Sequence, residues 1–362
     1  MTNALSLYLD GLRFVAAFTV FLAHYSVQRI SGGFFWPLFA YGRTAVLVFF
    51  VLSGFVIAWV TETRERSLEE YVLSRAARLY SVIVPAFIIT AAVNYLGEAV
   101  DPQLYGAVRS DITTPPVLGY ALSAVFLGQS WTLDLLPGLN VPFWSLDYEA
   151  WYYAIFAVGM FLRGWYRIAA LGVTALLAGP KILVLLPVWL LGVAAWRSRA
   201  EFPRRLAAPL VVASLTVWIV LEAMGGQRLF QHPNSPWLPS DCSGYDYVLG
   251  GLVSLFIVGL ANAELPMPGL RFERLVRWLA ATTFGLYLLH FPLLNFFAAV
   301  IPGPPDGAIH RILVFVLALG TAFAVAWLAE PRKTALKRWF RAVLDHVLGR
   351  HPPPAVERQR LS

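Results

Sequence analysis

The sequence predicts an all-α protein embedded in a membrane, with about ten transmembrane helices. Composition and run length carry this expectation. Of 362 residues, 58% are hydrophobic and only 14% are charged, whereas an ordinary soluble domain carries about 25% charged residues. A soluble core has no use for so much apolar surface, so the excess must face lipid. The runs are also long enough. A spanning helix needs about 20 mostly apolar residues, and Ala45–Val60 with its flanks, Ala280–Val300 and Ile309–Leu328 meet that need. The 13 Trp and 15 Tyr suit the lipid–water boundary, where amphipathic rings collect.

Eleven apolar stretches follow one another, near 8–28, 42–61, 79–98, 115–131, 146–163, 168–180, 181–196, 208–224, 246–263, 278–300 and 309–329. Basic residues cluster between them: Arg64, Arg66, Arg75 and Arg78; Arg163 and Arg167; Arg197, Arg199, Arg204 and Arg205; Arg271, Arg274 and Arg277; and the tail from Arg332. Cytoplasmic loops carry the excess of Lys and Arg. Placing all five clusters inside leaves ten spans with both termini cytoplasmic, and one re-entrant segment near 115–145 that enters from outside without crossing. Segment 99–114, with Asp101 and Asp111, then falls outside. So does 229–246, with Pro233, Pro236, Pro239 and Cys242. A rival ten-span arrangement lets 115–131 cross and makes 168–196 one broken helix, but it leaves Arg163 and Arg167 outside. The first is preferred. Its weak element is the hairpin at Gly179-Pro180, whose arms are short for full crossings.

Residues 1–332 are expected to form the membrane domain and 333–362 a basic cytoplasmic tail. The tail carries Trp339 and Phe340 and suits an amphipathic helix on the inner leaflet, followed by a Pro-rich end at Pro352–Pro354. No basic n-region and cleavage site mark the first apolar stretch as a removable signal, so the first helix is expected to stay. The single Cys242 excludes an intramolecular disulfide and a cysteine-based metal site. The net charge of +7 lies in short clusters between apolar runs, which argues against a nucleic-acid partner.

An ionisable residue inside a membrane is a functional candidate by default, because charge there is costly. The first helix carries Asp10, Arg13 and His24. At 100° per residue, Arg13 and His24 lie about 20° apart around the axis and about 16 Å apart along it, so they line one face. Asp10 sits one turn below Arg13 and suits its neutralisation. The same three residues also suit snorkelling at the two boundaries. The segment Phe143-Trp144-Ser145-Leu146-Asp147-Tyr148-Glu149 is expected at the outer mouth, with Ser145 at a helix start and Glu149 one turn inside. It also reads as a capped helix start with acidic residues near its positive end. Arg75 and Arg78, at i and i+3, form a fork suited to phosphate and equally suit an inner-boundary anchor. His290 precedes Pro292, which disturbs the helix and frees backbone carbonyls; a lone His of this kind also serves as a packing residue.

Together these motifs resemble the acyltransferase-3 family. Leu9-Asp10-Gly11-Leu12-Arg13 through His24, with ten residues between Arg and His, is similar to its opening signature. Val48-Phe49-Phe50-Val51-Leu52-Ser53-Gly54-Phe55 resembles its second-helix motif. Arg75/Arg78, Phe143–Glu149 and Gly285-Leu286-Tyr287-Leu288-Leu289-His290 follow in the family's order, and the resemblance runs roughly from Tyr8 to Pro331. It implies an integral-membrane, multi-pass protein of the bacterial cytoplasmic (inner) membrane, of the stand-alone type. Its expected reaction moves an acyl group, commonly acetyl, from cytoplasmic acyl-CoA to a hydroxyl of an extracytoplasmic carbohydrate. Surface polysaccharide or a lipid-linked glycan would be the acceptor. A small secondary metabolite such as a macrolide is the alternative acceptor.

In that chemistry His24 is the expected base for the acceptor hydroxyl. Glu149 is the expected partner that orients the imidazole. Arg13 either supplies an oxyanion donor or positions the thioester from below, and Arg75 and Arg78 are expected to hold the donor's phosphates. Asp10, Ser53, Trp144, Ser145, Tyr287 and His290 are candidate supporting residues, although Ser53 and Ser145 also suit helix packing. No metal and no permanently bound cofactor are expected; acyl-CoA (acetyl-CoA) is a co-substrate. The competing class is a transporter or flippase of a lipid-linked sugar. It would also use buried Arg, His and Glu, and it predicts an inverted repeat that the sequence does not display. A non-catalytic scaffold has no use for Arg13 and His24 on one face.

Overall fold

The computed structural model describes residues 1–109, 115–226, 243–329 and 332–350. Expectations for Asp111, for Pro233, Pro236, Pro239 and Cys242, and for Pro352–Pro354 lie outside these residues. Helices form the whole framework, and no strand occurs among the described residues. In order they are α1 (Asn3–Tyr25), α2 (Tyr41–Thr63), α3 (Leu68–Val100), α4 (Pro102–Arg109), α5 (Pro116–Ala124), α6 (Trp144–Phe161), α7 (Gly164–Ala178), α8 (Leu186–Ser198), α9 (Ala207–Ala223), α10 (Gly244–Asn262), α11 (Leu270–Val300), α12 (Ala308–Ala329) and α13 (Arg332–Val347).

Local chemistry sets several starts. Thr2 Oγ1 accepts from the Leu5 amide at 3.2 Å to open α1, and Ser67 Oγ accepts from Glu70 to open α3. Ser243 and Asp246 cap each other at the start of α10. Each bond satisfies an amide that a helix N-terminus otherwise leaves unpaired.

Among the described residues, eight helical segments are long and apolar enough to cross a membrane: α1, α2, α3, α10, α11 and α12, together with Pro180–Glu201 around α8 and Arg204–Ala223 around α9. The arms expected to be short include α7, with 15 residues. Helix α6 has 18 residues but carries Asp147 and Glu149. Helix α5 has nine residues, about 13 Å of rise, too little to cross a hydrocarbon core of about 30 Å. After it, residues 125–143 run as turns down to α6. Non-helical backbone at membrane depth needs partners within the protein or in a water-filled space; residues 131–134 are exposed, and neighbouring helices hold other parts of the segment. The Phe126 carbonyl accepts from Trp151 Nε1 at 2.7 Å, and the Trp131 amide reaches the Ala178 carbonyl.

The basic clusters gather at one end of the bundle. Arg197 bonds Glu62 at 3.1 Å and touches Met160 Sδ at 3.2 Å. Arg167 donates to the Leu162 carbonyl, Asn262 to the Arg199 carbonyl and Tyr8 to the Pro266 carbonyl. The rival arrangement separates Arg163 and Arg167 from the other clusters; these contacts bring them together. At the opposite end Arg43 grips the Asp246 carboxylate through two nitrogens, at 3.2 and 2.7 Å, tying α2 to α10.

The closest helix crossing is α2 on α8. Gly54 faces the Trp189 carbonyl and Gly192 faces the Val51 carbonyl, and a Cβ on either would overlap backbone. Small residues at such crossings let dispersion and close packing hold helices together where lipid removes the hydrophobic drive. Gly192→Leu is therefore expected to destabilise the protein by about 1–3 kcal/mol, seen as a lower melting temperature in detergent. Gly159→Leu, at a position with open space beside it, should leave it unchanged; equal melting temperatures for both variants would contradict this packing.

Candidate active site

The site is organised around α11, at Pro292. Proline has no amide hydrogen, so the carbonyl four residues earlier loses its helical donor. That carbonyl, of Leu288, accepts instead from Asn140 Nδ2 at 2.9 Å, and the same nitrogen lies 3.3 Å from Thr90 Oγ1. Asn140, wholly buried, thereby joins the loop before α6 to α3 and α11. Within the next turn of α11, Tyr287 meets Ser145 of α6, hydroxyl to hydroxyl at 2.7 Å.

His290 lies one turn beyond Tyr287. It is fully buried, and its Nδ1 is 2.6 Å from the Tyr287 carbonyl and 3.2 Å from the Leu286 carbonyl. A carbonyl only accepts, so Nδ1 carries the proton and Nε2 of the neutral ring accepts. Nε2 faces His24 Nδ1 at 2.9 Å. His24 Nδ1 also faces the Val20 carbonyl at 3.2 Å, which assigns its proton to the same atom. The tautomers follow from this network: backbone carbonyl, His290, His24. His24 Nε2 is left with a lone pair and takes no bond among the described residues, and the ring is only half-buried. Phe291 packs edge-on against it at 5.1 Å. Among the described residues no third His, Cys, Asp or Glu joins the pair, so it lacks the three ligands that a catalytic metal takes.

Glu149 does not reach His24. Its Oε1 accepts from Ser53 Oγ at 2.6 Å and from the Tyr153 hydroxyl in a short bond, and Trp189 Nε1 donates to Ser53 at 3.2 Å. Ser53 stands in the middle of α2, so Glu149 lies at mid-depth and not at the outer mouth. The physical reason is the descending loop: pinned at Asn140, it lets α6 begin well inside the bundle. The helix starts at Trp144 with no side-chain cap. Ser145, expected as a cap, bonds Tyr287 and the Pro142 carbonyl instead. Trp144 packs edge-on against Tyr148 at 5.2 Å and Phe50 at 6.3 Å.

Below this layer lies a cavity of about 530 Å³. Its inner end is formed by Phe49, Ser145, Leu146 and Tyr287, its middle by Ser53, Glu149 and Tyr153, and its mouth by Arg78, Arg277, Lys333 and Lys337. From Arg277 to Tyr287 it follows α11 for about 15 Å. Arg13 lines it too, held by Asp10 at 3.4 Å, and Asp10 also meets Arg277 at 3.4 Å. His24 is not a lining residue; Tyr287 links the two, with its ring 5.9 Å from that of His290. Arg13 and His24 share the unbroken α1 but belong to different levels of the site.

The two members of the Arg pair part company. Arg78 lines the cavity, whereas Arg75 points away, bonds Glu65 at 2.7 Å in a nearly buried bridge and lies over the Tyr71 ring at 5.5 Å. Arg75 is thus an anchor and does not share the cavity with Arg78, as the expected pairing of the two required. Sequence reasoning passed over Asn140, Tyr153, Arg277, Lys333 and Lys337. For Asn140 a signal existed, since the carbonyl freed by Pro292 required a donor. Breaking one side of a buried bridge costs about 3–5 kcal/mol, so Arg75→Ala is expected to lower thermal stability markedly and Arg78→Ala to leave it near wild type. Equal melting temperatures for the two variants would refute this division.

The family described as "Acyltransferase domain" matches residues 6–330. Acyltransferase MdmB of Streptomyces mycarofaciens is 31% identical over 167 residues, which cover 44% of this chain and 39% of that protein. The O-acetyl transferase of Shigella phage Sf6 is 26% identical over 161 residues, 42% of this chain and 45% of its own length. These matches thus span less than half of either relative. The exopolysaccharide production protein ExoZ of Rhizobium meliloti is 24% identical over 285 residues, 70% of this chain and 76% of that protein. No solved structure matches the chain. A family match over nearly the whole membrane bundle, including α1 with its Arg and His and α11 with its His, leads to one conclusion: the chain belongs to the acyltransferase-3 family.

Proposed function

We propose that this protein is a membrane O-acyltransferase that carries an acetyl group from acyl-CoA, bound at its basic end, to a hydroxyl of a carbohydrate on the opposite side. The observation that carries the reading is the histidine pair. His24 presents an unprotonated Nε2, held by His290, one helical turn beyond a cationic cavity. The basic end faces the cytoplasm by the distribution of Lys and Arg, where acyl-CoA is made, and the membrane is the bacterial cytoplasmic one. The acetyl group follows the relative named an O-acetyl transferase, and the carbohydrate acceptor follows the relative named for exopolysaccharide production.

The chemistry is a direct transfer. The donor's nucleotide end sits at the cavity mouth, and its pantetheine arm passes Ser53 and Glu149 toward Tyr287. His24 Nε2 takes the proton from the acceptor hydroxyl as its oxygen bonds to the thioester carbonyl carbon. The tetrahedral intermediate collapses, the carbon–sulfur bond breaks, and the CoA thiolate takes the proton back from His24. His290 accepts from His24 Nδ1 throughout and keeps the reactive nitrogen aimed at the acceptor, the role that a carboxylate plays in a hydrolase triad. Arg13 lies about 16 Å from His24 along α1, which suits positioning the donor from below over binding an oxyanion beside the imidazole.

The test is transfer of labelled acetyl from acetyl-CoA to a polysaccharide acceptor by the purified protein in lipid nanodiscs. His24→Ala is expected to cut kcat by roughly 10²–10⁴-fold while acetyl-CoA binding stays near wild type. His290→Phe, which removes only the orienting acceptor, is expected to cost roughly 10–100-fold in kcat with little change in KM for the donor. A wild-type protein that neither binds nor consumes acyl-CoA would overturn the reading and favour transport of a lipid-linked sugar.

A further inference from the structure

The C-terminal helix α13 was expected to lie on the inner leaflet, and one face of it suits that. Trp339, Val343 and Val347 recur at four-residue spacing, and all are exposed, an apolar stripe ready for lipid. Another face is committed to the bundle. Lys337 Nζ donates to Ser74 Oγ of α3 at 2.7 Å, Phe340 packs edge-on against Tyr80 at 6.2 Å, and beyond the helix Arg350 bonds Glu69 at 2.6 Å. This docking turns Lys333, Thr334 and Lys337 into the mouth of the central cavity, beside Arg78 and Arg277.

The charges at that mouth are unequal. Among the described residues, five cationic side chains and two carboxylates line the cavity. The carboxylates answer other groups: Asp10 is held by Arg13 and Arg277, Glu273 also bridges Arg277, and Glu149 lies at mid-depth on Ser53 and Tyr153. The partner seen for Lys337, the Ser74 hydroxyl, is neutral and leaves its charge unneutralised. Lysines four residues apart on one helical face, opposite arginines on two other helices, suit a ligand bearing more than one phosphate. A Lys stem also lets the charge follow such a group as it enters.

We propose, resting on the acyl-CoA reading above, that α13 is a wall of the donor site and that Lys333 and Lys337, with Arg78, hold the phosphates of the donor's nucleotide end. The tail is then part of the binding machinery, and the lipid-facing stripe serves to press it against α3. An anionic lipid headgroup offers similar phosphate chemistry, and the test separates the two sources.

The experiment compares acetyl-CoA with S-acetylpantetheine, which keeps the thioester arm and lacks the nucleotide, in nanodiscs of phosphatidylcholine alone. The double variant Lys333→Ala/Lys337→Ala is expected to lower kcat/KM for acetyl-CoA by at least about tenfold relative to that for S-acetylpantetheine, since charge-assisted bonds to phosphate are lost. Lys333→Glu/Lys337→Glu should lower the ratio further, and Lys333→Arg/Lys337→Arg should restore it. An equal loss with both donors would mean that the helix only supports the fold, and the proposal fails. It fails as well if neither donor is affected, or if the effect needs phosphatidylglycerol in the nanodisc. Wild-type protein inactive with acetyl-CoA would instead bring down the acyl-CoA reading itself, a result visible without any variant.

Discussion

Lipid offers no hydrogen bonds, and this constraint shapes the whole bundle. Every backbone polar group at membrane depth must find its partner within the protein. Where Pro292 breaks the ladder of α11, the Leu288 carbonyl needs a donor, and Asn140 supplies it. That bond anchors the loop leading into α6, and the anchored loop sets the depth at which α6 begins. The depth of α6 in turn decides that Ser145 meets Tyr287 and Glu149 meets Ser53. One unsatisfied carbonyl therefore propagates into the geometry of three helices.

The same rule orients the histidines. Backbone carbonyls fix the proton on His290 Nδ1 and on His24 Nδ1, so neither tautomer is free to drift. A neutral imidazole stabilises a protonated neighbour less than a carboxylate does, but burying a carboxylate there would demand its own set of donors. Glu149 and Asp10 instead sit lower, where hydroxyls and arginines meet them. The result is a layered site: a cationic mouth, a polar middle around Glu149, and an apolar level around Phe49 and Phe291 that holds the histidine pair.

Support for these layers comes from contacts without chemical function. Gly54 and Gly192 allow α2 and α8 to touch backbone to backbone, which sets Ser53 opposite Trp189. The Arg75–Glu65 bridge ties the start of α3 to the loop before it and leaves Arg78 on the adjacent face, turned to the cavity. The tail helix closes that cavity from the side.

The sequence alone determined the all-helical membrane architecture, the common end of the basic clusters and the shared face of Arg13 and His24. These properties follow from run length, loop charge and the 3.6-residue period, all of which are local. It also marked His290 and the disturbance at Pro292 as features of note. What it could not fix is which groups meet across helices. His24 found His290 and not Glu149, Arg75 became an anchor while Arg78 faced the cavity, and Lys333 and Lys337 joined its rim. Those outcomes depend on the depth and rotation at which separate helices pack, and a shift of one turn, about 5.4 Å, exchanges every partner. Only the tertiary structure holds that information, because it is decided by Gly54 and Gly192, by Asn140 and by the docking of α13 on α3, far apart in the chain.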